Sequence, residues 1–261
     1  MTRRIYQAFI EKFKYLTALF QVESHRLAYL KAAFQYGFGR KILFPETIVR
    51  LRGSRFAARK NSMDIAHLSN YFEPQTTAFL LKLAPKQFID VGAHVGRYSV
   101  LLAQSGTSVI AFEPNGGNYQ LLQQNIRLNQ LADKITTLNL GCSNVAQERE
   151  LFCVPSNEGM ASFIKRDGAE TKEVCTLKTL DEACGDLAAV DAIKIDVEGL
   201  ELEVLQGAVQ LLAKNSTLLI VEIFGAQKEK EISAFLNPFG YSVKGILDSR
   251  NYYFVKGTPQ K

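Results

Sequence analysis

The chain has 261 residues, a hydrophobic fraction of 47% and a net charge of +5, enough for one substantial globular domain with an extension. No segment approaches the roughly 20 apolar residues of a membrane span, so an integral membrane protein is not expected. Cys142, Cys153, Cys175 and Cys184 form no C-x-x-C pair, which favours four buried thiols in a reducing cytoplasm over a zinc site or a disulfide framework.

The charge is divided unevenly. Residues 1–60 hold 13 Lys/Arg and 3 Glu, whereas residues 61–261 carry a net −5. This divides the chain into a basic helical extension, 1–60, and a mildly acidic main domain, 61–261. Residues 3–36 read as helix, broken near Glu23–Ser24, with Ile5, Phe9, Phe13, Leu16 and Phe20 on one apolar face. Such a face docks on its own domain or on a second subunit in a homodimer. Peripheral contact with a membrane is the alternative. YLTALFQV at 15–22 is crowded by Glu11 and Lys14 and has no clear cleavage site, so no signal peptide is expected. Gly37 and Gly39 end the helix, and FPETIVRLRGSRFAAR suggests a hairpin.

From about residue 74 the pattern alternates. Strands read at 86–91, 107–112, 134–140, 190–196 and 217–223. Helices read at 97–105, 116–129, 199–213 and 227–237. This is a parallel sheet with helices on both faces. Residues 148–177 interrupt the rhythm with hairpin material, LFCVP and EVCTL. YSVKGIL and NYYFVKG, joined by Asp248-Ser249-Arg250, close the chain as an antiparallel hairpin.

The most informative stretch is FIDVGAHVGRYS, 88–99. A strand, an acid at its carboxyl end, a glycine loop and a helix start make a nucleotide-cofactor site on an open α/β sheet. The loop lacks the middle glycine of a dinucleotide turn, and Asp90 would repel a phosphate there. A cofactor with a cationic end and no phosphate fits better, and S-adenosylmethionine is one. A parallel sheet ending in an antiparallel hairpin agrees with a methyltransferase and not with a dinucleotide-binding dehydrogenase. Asp90 is placed to accept from the cofactor's ammonium, directly or through water, beside Gly92, Ala93, His94 and Gly96. Glu113, followed by Pro114, ends the second strand, where an acid accepts both ribose hydroxyls. Asn139 and Gly141 follow the third strand, where adenine would be met.

The fourth strand, DAIKIDVEGLELEVLQGA, carries Lys194 and Asp196 on one face, with Glu198 in the turn. A buried charge costs several kcal/mol unless paired, so Lys194 is expected to pair with a carboxylate, Glu222 being a candidate. Asp196 and Glu222 at adjacent strand ends could orient a hydroxyl, act as general base, or hold a divalent cation such as magnesium; a structural ion-pair cluster is the plain alternative. His94 is a second candidate base or simply a loop cap. His67 is placed near the acceptor pocket.

FIDVGAHVGRYSVLLA, AFEPNGGNYQLLQQNIRLN, TLDEA, AIKIDVEGLELEVLQGA and IVEIF, in this order, resemble the FkbM family of methyltransferases over roughly residues 60–255. The resemblance implies the seven-stranded class I, Rossmann-like methyltransferase fold, with S-adenosylmethionine as donor. It also implies O-methylation of a hydroxyl on a small molecule, glycan or natural product. Carried over by motif, Asp90, Gly92 and Gly96 hold the methionine part, Glu113 the ribose, and Asp196 sits near the reacting methyl. His94 stands where the family often has Asn, and Asn115-Gly116-Gly117 replaces a more proline-bearing turn. The rivals are an N-methyltransferase on nucleic acid or protein and a noncatalytic cofactor-binding scaffold. Asp196-Val197-Glu198-Gly199 is not the Asn/Asp-Pro-Pro-aromatic tetrad of amino-group enzymes, and a scaffold has little reason to bury Lys194 and Asp196. Nucleic acid is therefore not the expected partner.

Overall fold

The computed structural model describes residues 21–23, 45–60, 62–154, 157–164 and 170–257. The apolar helix expected over 3–36 lies almost wholly outside the described residues. Val22, placed in that helix by its pattern, instead forms an antiparallel bridge with Val49. No helix among the described residues is long and apolar enough to cross a membrane.

The expected hairpin is β1 (Thr47–Leu51) and β2 (Ser54–Ala58), paired antiparallel. Two helices follow, α1 (Asp64–His67) and α2 (Pro74–Leu83); the alternating pattern gave no sign of either. Then come β3 (Gln87–Val91), α3 (Arg97–Gln104), β4 (Ser108–Phe112), α4 (Gly116–Leu128) and β5 (Ile135–Leu138). Residues 141–178 form β6 (Gly141–Cys142), β7 (Gln147–Val154), β8 (Asn157–Ser162) and β9 (Glu170–Lys178). The chain continues through α5 (Leu180–Cys184), β10 (Ala192–Ile195), α6 (Glu201–Gln206), α7 (Val209–Lys214), β11 (Leu218–Glu222) and α8 (Ala226–Leu236). It closes with β12 (Tyr241–Leu247) and β13 (Asn251–Lys256).

The main sheet has seven strands in the order β12-β13-β11-β10-β3-β4-β5. The five from β11 to β5 are parallel, and β13 joins β11 antiparallel. This is the mostly parallel class I methyltransferase sheet with its closing hairpin. Side chains alternate between two cores. Phe88, Val109, Ala192 and Ile220 face one helical layer; Ile89, Phe112, Ile193 and Val221 face the other. Burial on both faces is why these strands read as apolar runs.

Two regions differ from the sequence pattern. The single helix expected over 199–213 is two short ones, broken at Gly207–Ala208. A Cβ at Gly207 would lie 2.1 Å from the Ser143 carbonyl oxygen, so the break admits the backbone after β6. Residues 141–178 are more than a hairpin: they make a separate four-stranded sheet, β6-β9-β7-β8. The β1–β2 hairpin packs Val49, Leu51 and Phe56 into the same cluster as Phe88 and Val100, so packing is continuous across residue 60. Buried Asn125 of α4 fastens it, accepting from Ala57 N at 2.7 Å and donating to Val95 O in the glycine loop at 2.8 Å.

Candidate active site

The chain runs from β3 outward through β4 and β5, then returns to build β10 and β11 on the other side. A crevice therefore opens at the carboxyl ends of β3 and β10, where ligands bind in such sheets. A cavity of about 270 Å3 lies there. Its walls come from the glycine loop, the β4 end, the second sheet, the β10 and β11 ends and the residue 67–73 segment.

The glycine loop is shaped by contact with the fourth strand. Gly92 has φ +87, and a Cβ on it would lie 1.9 Å from the Asp196 carbonyl oxygen. Only glycine allows this approach and this backbone angle together. The loop also reaches β4, because Gly92 N and Ala93 N both donate to Phe112 O.

Glu113 is 4% exposed and lines the cavity. One carboxylate oxygen accepts from His94 N at 2.8 Å and the other from Asn115 N at 3.0 Å. Asn118 Nδ2 also donates to the second oxygen, at a longer 3.4 Å; the first keeps a free acceptor site, so the carboxylate is held by three donors and can still meet a ribose hydroxyl. Burial, only partly offset by these N–H donors, raises its carboxyl to about 7. Leu140, Cys142, Leu151, Ala161 and Phe163 give the adjoining wall an apolar character, suited to a purine ring. Pro114 and Gly141 line this end as expected. The residues present therefore fit S-adenosylmethionine: a glycine loop, a diol acceptor and an apolar slot, in chain order.

Two expected cofactor residues lie elsewhere. Asp90 does not line the cavity. It is 2% exposed, and one carboxylate oxygen accepts from Ser99 Oγ at 2.6 Å and Ser99 N at 3.2 Å. It fastens the first turn of α3 to β3 and makes no direct contact at the cavity surface. Asn139 also stays outside, donating to Glu113 O at 2.8 Å and Pro114 O at 3.0 Å; it braces the turn that presents Glu113.

On the β10 side of β3 the charged groups converge. Lys194 Nζ pairs with Asp196 Oδ2 at 2.6 Å. The partner proposed from sequence, Glu222, is thus replaced by the nearer carboxylate on the same strand. Both line the cavity, with the Lys194 side chain 3% exposed and that of Asp196 25%, so Asp196 is the more open of the two. Burial would raise Asp196, but the ammonium overrides this and holds it below the ordinary carboxylate range. Burial, then the charge of Asp196, pushes Glu222 up to about 9. The charge of Asp196 thus opposes ionisation of Glu222, and the two carboxyls titrate as a pair. Glu198, held at φ +54 in the turn after β10, also lines the cavity.

Glu73, Tyr98, Arg97, Phe224 and Arg250 line the cavity too, and the motifs did not reveal them. Glu73 accepts from Tyr98 Oη and, at 2.9 Å, from Asn251 Nδ2. Arg97, 5% exposed, donates to His67 O, Ser69 O and Phe72 O at 2.7–2.9 Å; it fixes the segment that covers the cavity. The available signal was position: Arg97-Tyr98 directly follows the glycine loop, and Glu73 directly precedes a helix-starting proline. Glu73, Asp196 and Glu222 each offer an oxygen within 4.8 Å of the others. Tyr98 and Asn251 already donate to Glu73, and the Lys194 ammonium 2.6 Å from Asp196 opposes a second cation beside it, so the trio does not fit a divalent cation well. His94 and His67 stand edge to face, 5.1 Å between ring centres. Burial, and then His67, drives His94 down to about 3, so the ring is neutral, and its Nε2 is buried without a hydrogen-bond partner among the described residues. Its backbone N–H on Glu113 makes it a loop cap.

The comparisons agree with this geometry. The methyltransferase FkbM domain matches residues 90–243. A hexuronic acid methyltransferase, AglP, from Haloferax volcanii is 26% identical, covering 66% of this chain and 70% of its own. Methyltransferase sdnD from Sordaria araneosa is 26% identical over 46% of this chain and 59% of its own. The crystal structure of methyltransferase FkbM from Methylobacillus flagellatus KT superposes with a TM-score of 0.51 at 19% identity, covering 66% of this chain and 43% of that one. With more than half of its residues matched, and with the sheet and site in place, the chain belongs to the FkbM methyltransferase domain family.

Proposed function

We propose that this S-adenosylmethionine-dependent methyltransferase methylates a hydroxyl of a sugar or similar polyol. The observation that carries the reading is Asp196, which lines the cavity with its side chain 25% exposed and is paired with Lys194 Nζ at 2.6 Å. Bound across the cavity, the cofactor would supply an electrophilic methyl on its sulfonium. Glu113 would hold the ribose diol, and the apolar wall at Phe163 the purine. Asp196 would accept the hydrogen bond of the acceptor hydroxyl, fix its lone pair in line, and take its proton as the hydroxyl becomes nucleophilic. Lys194 keeps Asp196 ionised, and Glu222 holds its proton against the same carboxylate. The 67–73 segment, held by Arg97, excludes water from this end.

A sugar acceptor is supported by the convergence of carboxyl groups, which are hydroxyl-binding partners, and by the relative named for a hexuronic acid. The test is methyl transfer from labelled donor to a panel of simple glycosides, with the product located by NMR. An O-methyl sugar formed by the parent and lost in Asp196→Asn is the expected result. Transfer to an amine, RNA or protein, with glycosides untouched, would overturn the reading.

A further inference from the structure

We infer that the acceptor carries a carboxylate, and that Arg250 at the cavity rim reads it; this rests on the sugar-hydroxyl reading. Beyond β11 the chain buries Ile223 and turns Phe224 outward, 45% exposed. The β12–β13 turn lies alongside, Ile223 N donating to Arg250 O at 3.0 Å. This brings the Arg250 guanidinium to 4.5 Å over the Phe224 ring, and both residues line the cavity beside Glu222. Of the two arginines that line the cavity, Arg97 is engaged by three carbonyls. Among the described residues the Arg250 guanidinium has no acidic partner. Stacking on the ring limits its freedom while leaving N–H edges for a ligand.

The surrounding charges choose the ligand and its direction. Asp196 and Glu73 at the inner end repel an anion and attract hydroxyl donors. The guanidinium at the rim attracts an anion. An acidic sugar would therefore enter with its hydroxyl toward Asp196, its carboxylate toward Arg250 and its C–H face against Phe224. A planar carboxylate matches one guanidinium bidentately. A phosphate dianion would set more charge against the same acidic interior with the same single cation.

The experiment compares kcat/KM for methyl glucuronoside, methyl glucoside and glucose 6-phosphate in the parent, Arg250→Gln and Arg250→Lys. Binding of each sugar to the S-adenosylhomocysteine complex is measured by calorimetry, which also reports that each variant is folded. The parent should prefer the glucuronoside by about tenfold or more, the scale of one charge-assisted contact. Arg250→Gln should remove that preference and Arg250→Lys restore part of it. An unchanged preference in Arg250→Gln, no preference in the parent, or a preference confined to the phosphate would each overturn the assignment. Methylation of the glucoside without discrimination sinks the Arg250 role alone. If no sugar is bound or methylated by a protein that binds S-adenosylhomocysteine, the sugar-hydroxyl reading fails and this inference falls with it.

Discussion

Asp196 and Glu113 follow β10 and β4, on either side of β3, and both line one cavity, so substitutions should separate their tasks. Asp196→Ala removes the ionised group facing the acceptor. Turnover should fall by about a hundredfold or more, the scale of general base catalysis; S-adenosylhomocysteine affinity, measured by calorimetry, should change far less. Glu113 titrates near 7, and its anion is the better acceptor for a ribose hydroxyl. Affinity for S-adenosylhomocysteine should therefore rise with pH through about 7 in the parent, and Glu113→Gln should bind weakly with that dependence removed. Glu222 yields a stability prediction. Its folded-state value, about 9, lies above the ordinary 4.5. Its contribution is fully present below about 4.5 and lost as pH rises through 9. Glu222→Gln cannot ionise, so the Tm of the variant relative to the parent should climb between pH 5 and pH 9. A constant difference would show that Glu222 ionises normally.

At the scale of elements, the site depends on pieces that touch only because particular small or polar residues permit it. Asn125 joins β2, α4 and the glycine loop through two buried hydrogen bonds. Asn125→Ala leaves Ala57 N and Val95 O without those partners, at about 1–3 kcal/mol for each unsatisfied group. Thermal unfolding should show a Tm lower by several degrees. An unchanged Tm would mean the hairpin is held by its apolar contacts alone. Much of this level was legible in the sequence. The parallel strands announced themselves because burial on both faces makes them apolar throughout, and Lys194 and Asp196 stood out against that background. The helix Pro74–Leu83 was not legible, because its start is fixed from afar: Asp248, in the closing hairpin, accepts from Gln75 N and Thr76 N. The break in the helix expected over 199–213 likewise depends on Ser143, more than 60 residues away.

Over the whole molecule, the crevice gathers residues from the 67–73 segment, the glycine loop, the second sheet and the closing hairpin. Local motifs revealed the parts of the site that lie at ends of single strands: Gly92, Glu113, Asp196 and Glu222. They could not reveal Glu73, Tyr98 or Arg250, which reach the cavity through long-range packing. Asp90 lies behind the cavity wall. Its position at a strand end is that of a ligand-binding acid, but Ser99 in the next helical turn draws the carboxylate inward. The family's match over residues 90–243 spans the glycine loop and strand ends and stops before Arg250, where the acceptor-reading corner is placed.

The most direct test is calorimetric titration of S-adenosylhomocysteine into the parent, Glu113→Gln and Asp196→Asn, with methyl transfer to glycosides measured on the same samples. Tight binding by the parent and Asp196→Asn, weak binding by Glu113→Gln, and turnover lost in Asp196→Asn is the result this account requires. Absence of binding in the parent, or equal loss of binding in both variants, would contradict a donor end at Glu113 and an acceptor end at Asp196.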